Sequence, residues 1–284
     1  MPERKESFNE ADFLRDRRFG GVPAVFCECE SCVQARKLGG RNLRTRTSAR
    51  VDDHVLIDFS VNSFAHVLFG GLRLSQIHHV LITHSHLDHF FPDDLLAVDE
   101  PKAHLPQGWH VNVYGNQRVG AIWQKAVRRN WSHRNDERIS FQQLSLFQPV
   151  EMDGMTVTPL KADHIPGEEC FLYRIERQGR SLLYAHDTHG LPEETWQALR
   201  QSHLDCVVLD CTSVMTPDVF SSHMSFQDNV AIRRRMLQEK IADEKTIFIA
   251  THFAHTYILP HSELQQRMAP EGFIPAYDGL CVEF

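Results

Sequence analysis

What the chain lacks narrows its class before any motif is read. No stretch of its 284 residues is apolar for long enough to span a bilayer, and its start, Met1-Pro2-Glu3-Arg4-Lys5-Glu6, is charged with no apolar core behind it. Neither a membrane span nor a secretory leader is expected, and a cytoplasmic location follows. Positive charge is also scarce. Thirty Lys and Arg stand against 37 Asp and Glu, a formal net charge of −7, which argues against a general nucleic-acid binder with a dominant basic face. There is no internal repeat, low-complexity tract or evident interdomain linker, so residues 1–284 are expected to form one domain. With 42% hydrophobic and 24% charged residues, the composition is that of a folded protein and excludes disorder.

What is present is unusual in one respect: eighteen histidines. Short apolar runs bounded by turn signals recur at Val55-Leu56-Ile57, Val80-Leu81-Ile82, Val111-Asn112-Val113-Tyr114, Met155-Thr156-Val157, Phe171-Leu172-Tyr173, Leu182-Leu183-Tyr184, Val207-Val208-Leu209 and Ile247-Phe248-Ile249. Their length and β-branched content predict strands. Helical spacing predicts helices near 116–129, 192–201, 226–240 and 262–268, the first with Val119, Ile122 and Ala126 on one face. Asp153-Gly154 and Gln178-Gly179 read as hairpin turns. The mixture indicates an α/β protein with a partly antiparallel sheet. Polar residues directly after these strands, namely Asp58, His84, Asp187, Asp210 and His252, stand where such scaffolds gather a site.

The densest chemistry is the run Thr83-His84-Ser85-His86-Leu87-Asp88-His89. His84 and His86, two apart after a buried strand, can converge on one cation. Asp88 and His89 follow as the chain bends and can serve a second. Imidazole and carboxylate suit Zn, Mn or Fe, and a pair of such ions about 3.5–4 Å apart holds the attacking and leaving oxygens of a displacement. The bland alternative is a surface loop with chance histidines.

This run with its surroundings resembles the metallo-β-lactamase superfamily over nearly the whole chain. The resemblance implies a four-layer αββα sandwich and a ligand set that maps onto this sequence in order. It implies that His84, His86 and His164 hold one metal, that Asp88, His89 and His252 hold the other, and that Asp187 bridges them. Asp58 would orient a ligand histidine and, with Asp88, counts among the catalytic residues. His186 and His189 are rivals to Asp187 on spacing; strand alternation turns His186 away, and His189 sits beside a loop glycine. The implied pair of divalent ions keeps a residual positive charge for an anionic substrate and lowers the pKa of bound water to about 7.

Cys27-x-Cys29-x-x-Cys32 offers three thiolates, and His255 is the candidate fourth ligand of a closed structural zinc site. The alternative is a redox or merely buried cluster. The arrangement resembles the cyclic phosphodiesterase branch of bacterial phosphonate utilisation, which acts on a phosphoribosyl cyclic phosphate; a related cluster occurs in the quinone-cofactor branch. Ser222-His223-Met224-Ser225 resembles the His-x-Ser motif of the phosphodiesterase branches, which implies that His223 assists the leaving group; the competing reading is a helix cap. Arg44 and Arg46 are candidates for substrate binding, against the ordinary reading of a solvated basic face. Residues 92–145 are expected to form a lid or substrate-access region, and residues 11–21 read poorly as a strand.

The expected function is hydrolysis of a small or cyclic phosphodiester by a metal-bridging hydroxide. The alternatives are a tRNA 3′-end-processing endonuclease, disfavoured by the acidic balance, and a catalytically silent metal-binding carrier. Relatives suggest a homodimer.

Overall fold

The computed structural model describes residues 10–15, 21–98, 101–130, 138–217 and 221–284. Its strands are β1 (Glu10–Arg15), β2 (Ser48–Val51), β3 (Val55–Ile57), β4 (His79–Leu81), β5 (Val111–Gly115), β6 (Ile139–Gln143), β7 (Val150–Met152), β8 (Met155–Lys161), β9 (Phe171–Arg177), β10 (Arg180–Ala185), β11 (Cys206–Asp210), β12 (Ile247–Thr251), β13 (Phe273–Pro275) and β14 (Leu280–Glu283). Its helices are α1 (Glu30–Leu38), α2 (Ser63–Phe69), α3 (Pro92–Leu95), α4 (Gln117–Asn130), α5 (Glu193–Leu199), α6 (Phe226–Gln238) and α7 (His261–Met268). The strands form two seven-stranded sheets. Sheet I has the order β14-β1-β2-β3-β4-β5-β6 and sheet II the order β13-β12-β11-β10-β9-β8-β7.

Alternation along each strand explains the layering, because successive side chains point to opposite faces. In β10, Leu182 and Tyr184 enter the core between the sheets, whereas Leu183 and Ala185 face the core shared with α5, α6 and α7. In β11, Cys206 and Val208 face inward and Val207 and Leu209 outward. Sheet I does the same: Val55 and Ile57 meet sheet II, and Leu56, Val80 and Val113 pack outward with Val119, Trp123 and Ala126 of α4. Strands buried on both faces read as continuous apolar runs, which is why these segments were conspicuous. The result is the helix–sheet–sheet–helix arrangement expected. Burying each such aliphatic side chain is worth roughly 1.5–3 kcal/mol, and Tyr173 adds a hydrogen bond between sheets, its hydroxyl donating to the Ile82 carbonyl at 2.7 Å.

Asp153-Gly154 and Gln178-Gly179 close the β7–β8 and β9–β10 hairpins. All four residues have positive φ, 49° and 78° in the first pair and 51° and 79° in the second, the twist a two-residue turn between right-handed strands requires.

Two expectations need correction. The charged stretch 10–15 is a strand after all, paired with both β14 and β2, with a register shift between Phe13 and Arg15. Backbone bonds available on both sides override its poor propensity; residues 16–20 lie outside the described residues. Much of 92–145 is framework rather than lid, since it supplies β5, α4 and β6; residues 99–100 and 131–137 are not described.

Strands β3 to β6 run parallel, as do β10 to β13. The loops after β3, β4, β10 and β12 therefore carry Asp58, His84, Asp187 and His252, Asp210 is the last residue of β11, and these residues meet in the contacts described next.

Candidate metal centre

The loop after β4 and three distant loops bring seven side chains together. His84 Nε2 lies 3.0 Å from His86 Nδ1, which lies 3.3 Å from His164 Nε2. Asp187 Oδ2 is 3.4 Å from His84 Nε2 and 3.5 Å from His164 Nε2. Donor atoms about 2.0–2.1 Å from one tetrahedral cation stand about 3.3 Å apart, so this group has the spacing of a coordination shell. On the other side, Asp187 Oδ2 is 3.0 Å from His89 Nε2, Asp187 Oδ1 is 2.8 Å from His252 Nε2, and Asp88 Oδ2 is 3.6 Å from His89 Nε2. Asp187 thus faces both groups. His89 Nε2 and Asp187 Oδ1 are buried and make no hydrogen bond, a costly arrangement for polar atoms unless they serve another partner. The residues fit a pair of divalent cations.

The far nitrogens are occupied, which fixes which atom faces the centre. His84 Nδ1 meets the Thr83 hydroxyl at 3.0 Å and His252 Nδ1 the Thr212 hydroxyl at 2.8 Å. His164 Nδ1 donates to the Ser222 carbonyl at 3.2 Å, and His89 Nδ1 to Asp58 Oδ2 at 2.7 Å. Four histidines thereby present Nε2, and His86 presents Nδ1. Glu168 clamps the loop, accepting from the Ser85 backbone and hydroxyl at 2.8 and 2.6 Å and from Asn116 at 2.9 Å. Asp58, Asp187 and His252 have φ of 60°, 56° and 63°. Left-handed backbone in non-glycine residues costs energy and is concentrated where side chains must be aimed.

Electrostatics agree. Burial pushes His84 well below the ordinary imidazole value, and His164 down to about 4, keeping their lone pairs free. Burial alone would raise Asp187, but His252 and His89 hold it well below the carboxylate range. Likewise His89 brings Asp88 down to about 2 against its burial. His89 itself is raised well above its usual value: burial opposes this, but the charges of Asp187, Asp88 and Asp58 prevail. A field that favours a proton there favours a divalent cation still more.

At the rim, a cavity of about 380 Å³ is lined by His86, Asp88, His164, Ile165, Pro166, Asp187, Ser222 and His223. His223, which lines this cavity, donates from Nδ1 to Asp210 Oδ2 at 2.7 Å. Asp210, fully buried at the end of β11, also accepts from the Thr212 backbone at 2.7 Å. Asp210, Thr83, Thr212 and Glu168 received no role from the sequence. For Asp210 the signal was there, since it follows a strand as Asp58 does, but its partner lies 13 residues on with no fixed spacing.

The cysteines converge separately. His255 Nδ1 lies 3.4, 3.7 and 3.6 Å from the sulfurs of Cys27, Cys29 and Cys32. Zinc held at about 2.3 Å from sulfur and 2.0–2.1 Å from nitrogen separates tetrahedral S and N ligands by about 3.6 Å, and the four residues fit such an ion. Ser31 donates to the Ile258 carbonyl at 3.1 Å, joining the cysteine segment to the loop after His252.

The arginines do not converge here. Arg44 is 2% exposed; it donates to the Ala276 carbonyl, lies 3.3 Å from His261 Nδ1 and stacks on Phe253. The substrate role expected of it is corrected, because a guanidinium so spent is part of the core. Arg46 is half-buried ahead of β2 and does not line the cavity. His189 donates from Nδ1 to the His223 carbonyl at 3.1 Å, so it braces that loop.

The sequence profile described as "Beta-lactamase superfamily domain" matches residues 54–253, a span that includes every residue from Asp58 to His252. Among solved structures, one described as a new diphosphatase from the PhnP family is similar at 23% identity and a TM-score of 0.77, covering 97% of this chain and 98% of that one. Zn(2+)-bound PqqB from Methylobacterium extorquens is similar at 17% identity and 0.71, covering 97% and 100%. Human tRNase Z, short form, is similar at 14% and 0.63, covering 96% and 98%. At these identities the likeness is one of fold. No curated protein matches the sequence.

Proposed function

Because the chain belongs to the beta-lactamase superfamily and is a metal-dependent hydrolase, we propose that it cleaves a small or cyclic phosphodiester. The observation that carries this reading is His223, aimed by Asp210 into the cavity that the metal-facing residues line. As a water oxygen bonds to phosphorus, one ester oxygen of a phosphodiester is displaced as an alkoxide, and an alkoxide needs a proton. His223, charged with Asp210 behind it, holds that proton on Nε2; as the P–O bond breaks the proton passes to the departing oxygen. The Ser222 and His223 carbonyls are engaged by His164 and His189, so the acid is fixed relative to a metal-facing side chain.

When bound, two divalent cations would supply positive charge to the phosphoryl oxygens and acidify a water; His84, His86 and His164 would hold one, Asp88, His89 and His252 the other, and Asp187 both. The cavity is at the small end of ligand sites, which favours a compact substrate over a folded RNA. The likeness to a PhnP-family diphosphatase is consistent with phosphorus chemistry.

The test is hydrolysis of bis(p-nitrophenyl) phosphate and of a ribose cyclic phosphate by Mn-loaded protein. Diester cleavage is expected, with His223→Ala lowering kcat on the cyclic phosphate by about 10²–10⁴. Absent diester cleavage alongside strong lactone or thioester hydrolysis would refute it. Efficient trimming of precursor tRNA 3′ ends would favour the endonuclease reading.

A further inference from the structure

One buried group near the centre has no part in the chemistry above. His186 precedes Asp187 at the end of β10 and is 1% exposed. Strand alternation turns its ring away from the cavity and toward sheet I, where Nε2 lies 3.1 Å from Asp58 Oδ2 and 3.2 Å from His89 Nδ1. An ionised carboxylate only accepts. Both nitrogens beside Oδ2 therefore donate to it, His89 from Nδ1 and His186 from Nε2. The Tyr184 ring packs edge-on against His186, with centroids 4.5 Å apart, and His186 Nδ1 is buried without a hydrogen bond.

The other bonds to the Asp58 carboxylate come from the Thr83 backbone at 2.8 Å and the Thr83 hydroxyl at 3.0 Å. Thr83 and His89 both follow β4, in sheet I. Among the described residues, His186 supplies the hydrogen bond that reaches Asp58 from sheet II. It is also the chain neighbour of Asp187, which faces both groups of ligands.

We propose that His186 is a positioning residue that registers Asp187 against His89 through Asp58, and so sets the affinity of the cation held by Asp88, His89 and His252. The cation held by His84, His86 and His164 shares Asp187 but depends less on this link. His84 is oriented by Thr83 and His164 by Ser222, and neither contact involves His186. Outer partners of metal ligands are worth about 10–100-fold in affinity. A buried histidine bearing one unsatisfied nitrogen is a poor choice for packing alone, and the bond to Asp58 accounts for it.

The experiment is calorimetric titration of Mn²⁺ into protein that carries zinc at the cysteines, which thiolates keep from manganese. Wild type takes up two Mn²⁺. His186→Phe, which keeps an aromatic ring and loses the N–H, weakens the second by about 10–100-fold and the first by much less. His186→Gln, which restores a donor near Nε2, recovers the second cation. If the phenylalanine variant does not fold, His186→Ala carries the same expectation. Unchanged binding of both cations, equal weakening of both, or no recovery in the glutamine variant overturns the proposal. The inference rests on the two-cation reading and not on the substrate, because the titration contains none. Wild type that binds a single Mn²⁺ refutes that reading and this proposal together.

Discussion

Asp210→Asn separates acid catalysis from simple support of the fold. In the native site Asp210 Oδ1 accepts from the Thr212 backbone at 2.7 Å, while Oδ2 accepts from His223 Nδ1 at 2.7 Å and from the Thr188 backbone at 3.2 Å. Burial would raise this carboxyl, but the charge and hydrogen bond of His223 hold it below its ordinary value, so it remains ionised at neutral pH. Asparagine keeps the Thr212 bond if its oxygen takes the Oδ1 place. Its NH₂ then faces His223 Nδ1–H, donor against donor. Charged His223 loses both its counter-charge and a charge-assisted hydrogen bond, worth about 1.5–3 kcal/mol. At 1.4 kcal/mol per factor of ten, kcat should fall roughly 10- to 150-fold. The loss should appear in full for an alkoxide leaving group, which needs the proton, and shrink for p-nitrophenolate, which does not. Steady-state kinetics on a ribose cyclic phosphate and on bis(p-nitrophenyl) phosphate, at matched Mn content, provide the assay. The double variant with His223→Ala should be no worse than His223→Ala alone. Equal losses on both substrates, or a fully additive double variant, would refute the reasoning.

Three further outcomes are expected. Cys29→Ser should lose the structural zinc and lower kcat on the order of tenfold, because His255 and His252 share one short loop; a folded variant without that zinc but with wild-type kcat contradicts the coupling. His261 is lowered to about 4 by burial first and by Arg44 and Arg41 next. The unfolded chain takes up its proton near pH 6.5 while the folded chain does not. Stability should therefore fall as pH drops from 6.5 toward 4, by about 3 kcal/mol, and urea titrations of His261→Phe should show a shallower slope; an unchanged slope counts against it. Helix α2 is inside out, with Phe64 65%, Leu68 57% and Phe69 79% exposed while Ser63 and His66 are buried. We expect this uncharged face to form the homodimer contact, so wild type should sediment as a dimer and Phe64→Glu as a monomer; a monomeric wild type contradicts this.

The strands most easily read were those buried on both faces, because runs such as Val207-Val208-Leu209 admit few other interpretations. Strand β1 was not legible: Glu10–Arg15 is charged, and only the presence of β2 and β14 on either side makes it a strand. That these seven side chains would meet was legible because four crowd into one loop and the family order supplies the rest. Their supports were not. Glu168 grips Ser85 across 83 residues of chain, and Thr212 meets His252 across 40; no local pattern records such pairs. Arg44 misled for the same reason. In sequence it is one basic residue among several, and the carbonyl and ring that absorb it come from Ala276 and Phe253.

The central claim is a pair of cations divided by Asp187, and anomalous diffraction from Mn-loaded crystals with zinc retained tests it most directly. The account predicts two manganese peaks about 3.5–4 Å apart, one among His84, His86 and His164 and the other among Asp88, His89 and His252. A third peak, of zinc, belongs between Cys27, Cys29, Cys32 and His255. A single manganese, or one seated on Asp210 and His223, would contradict it.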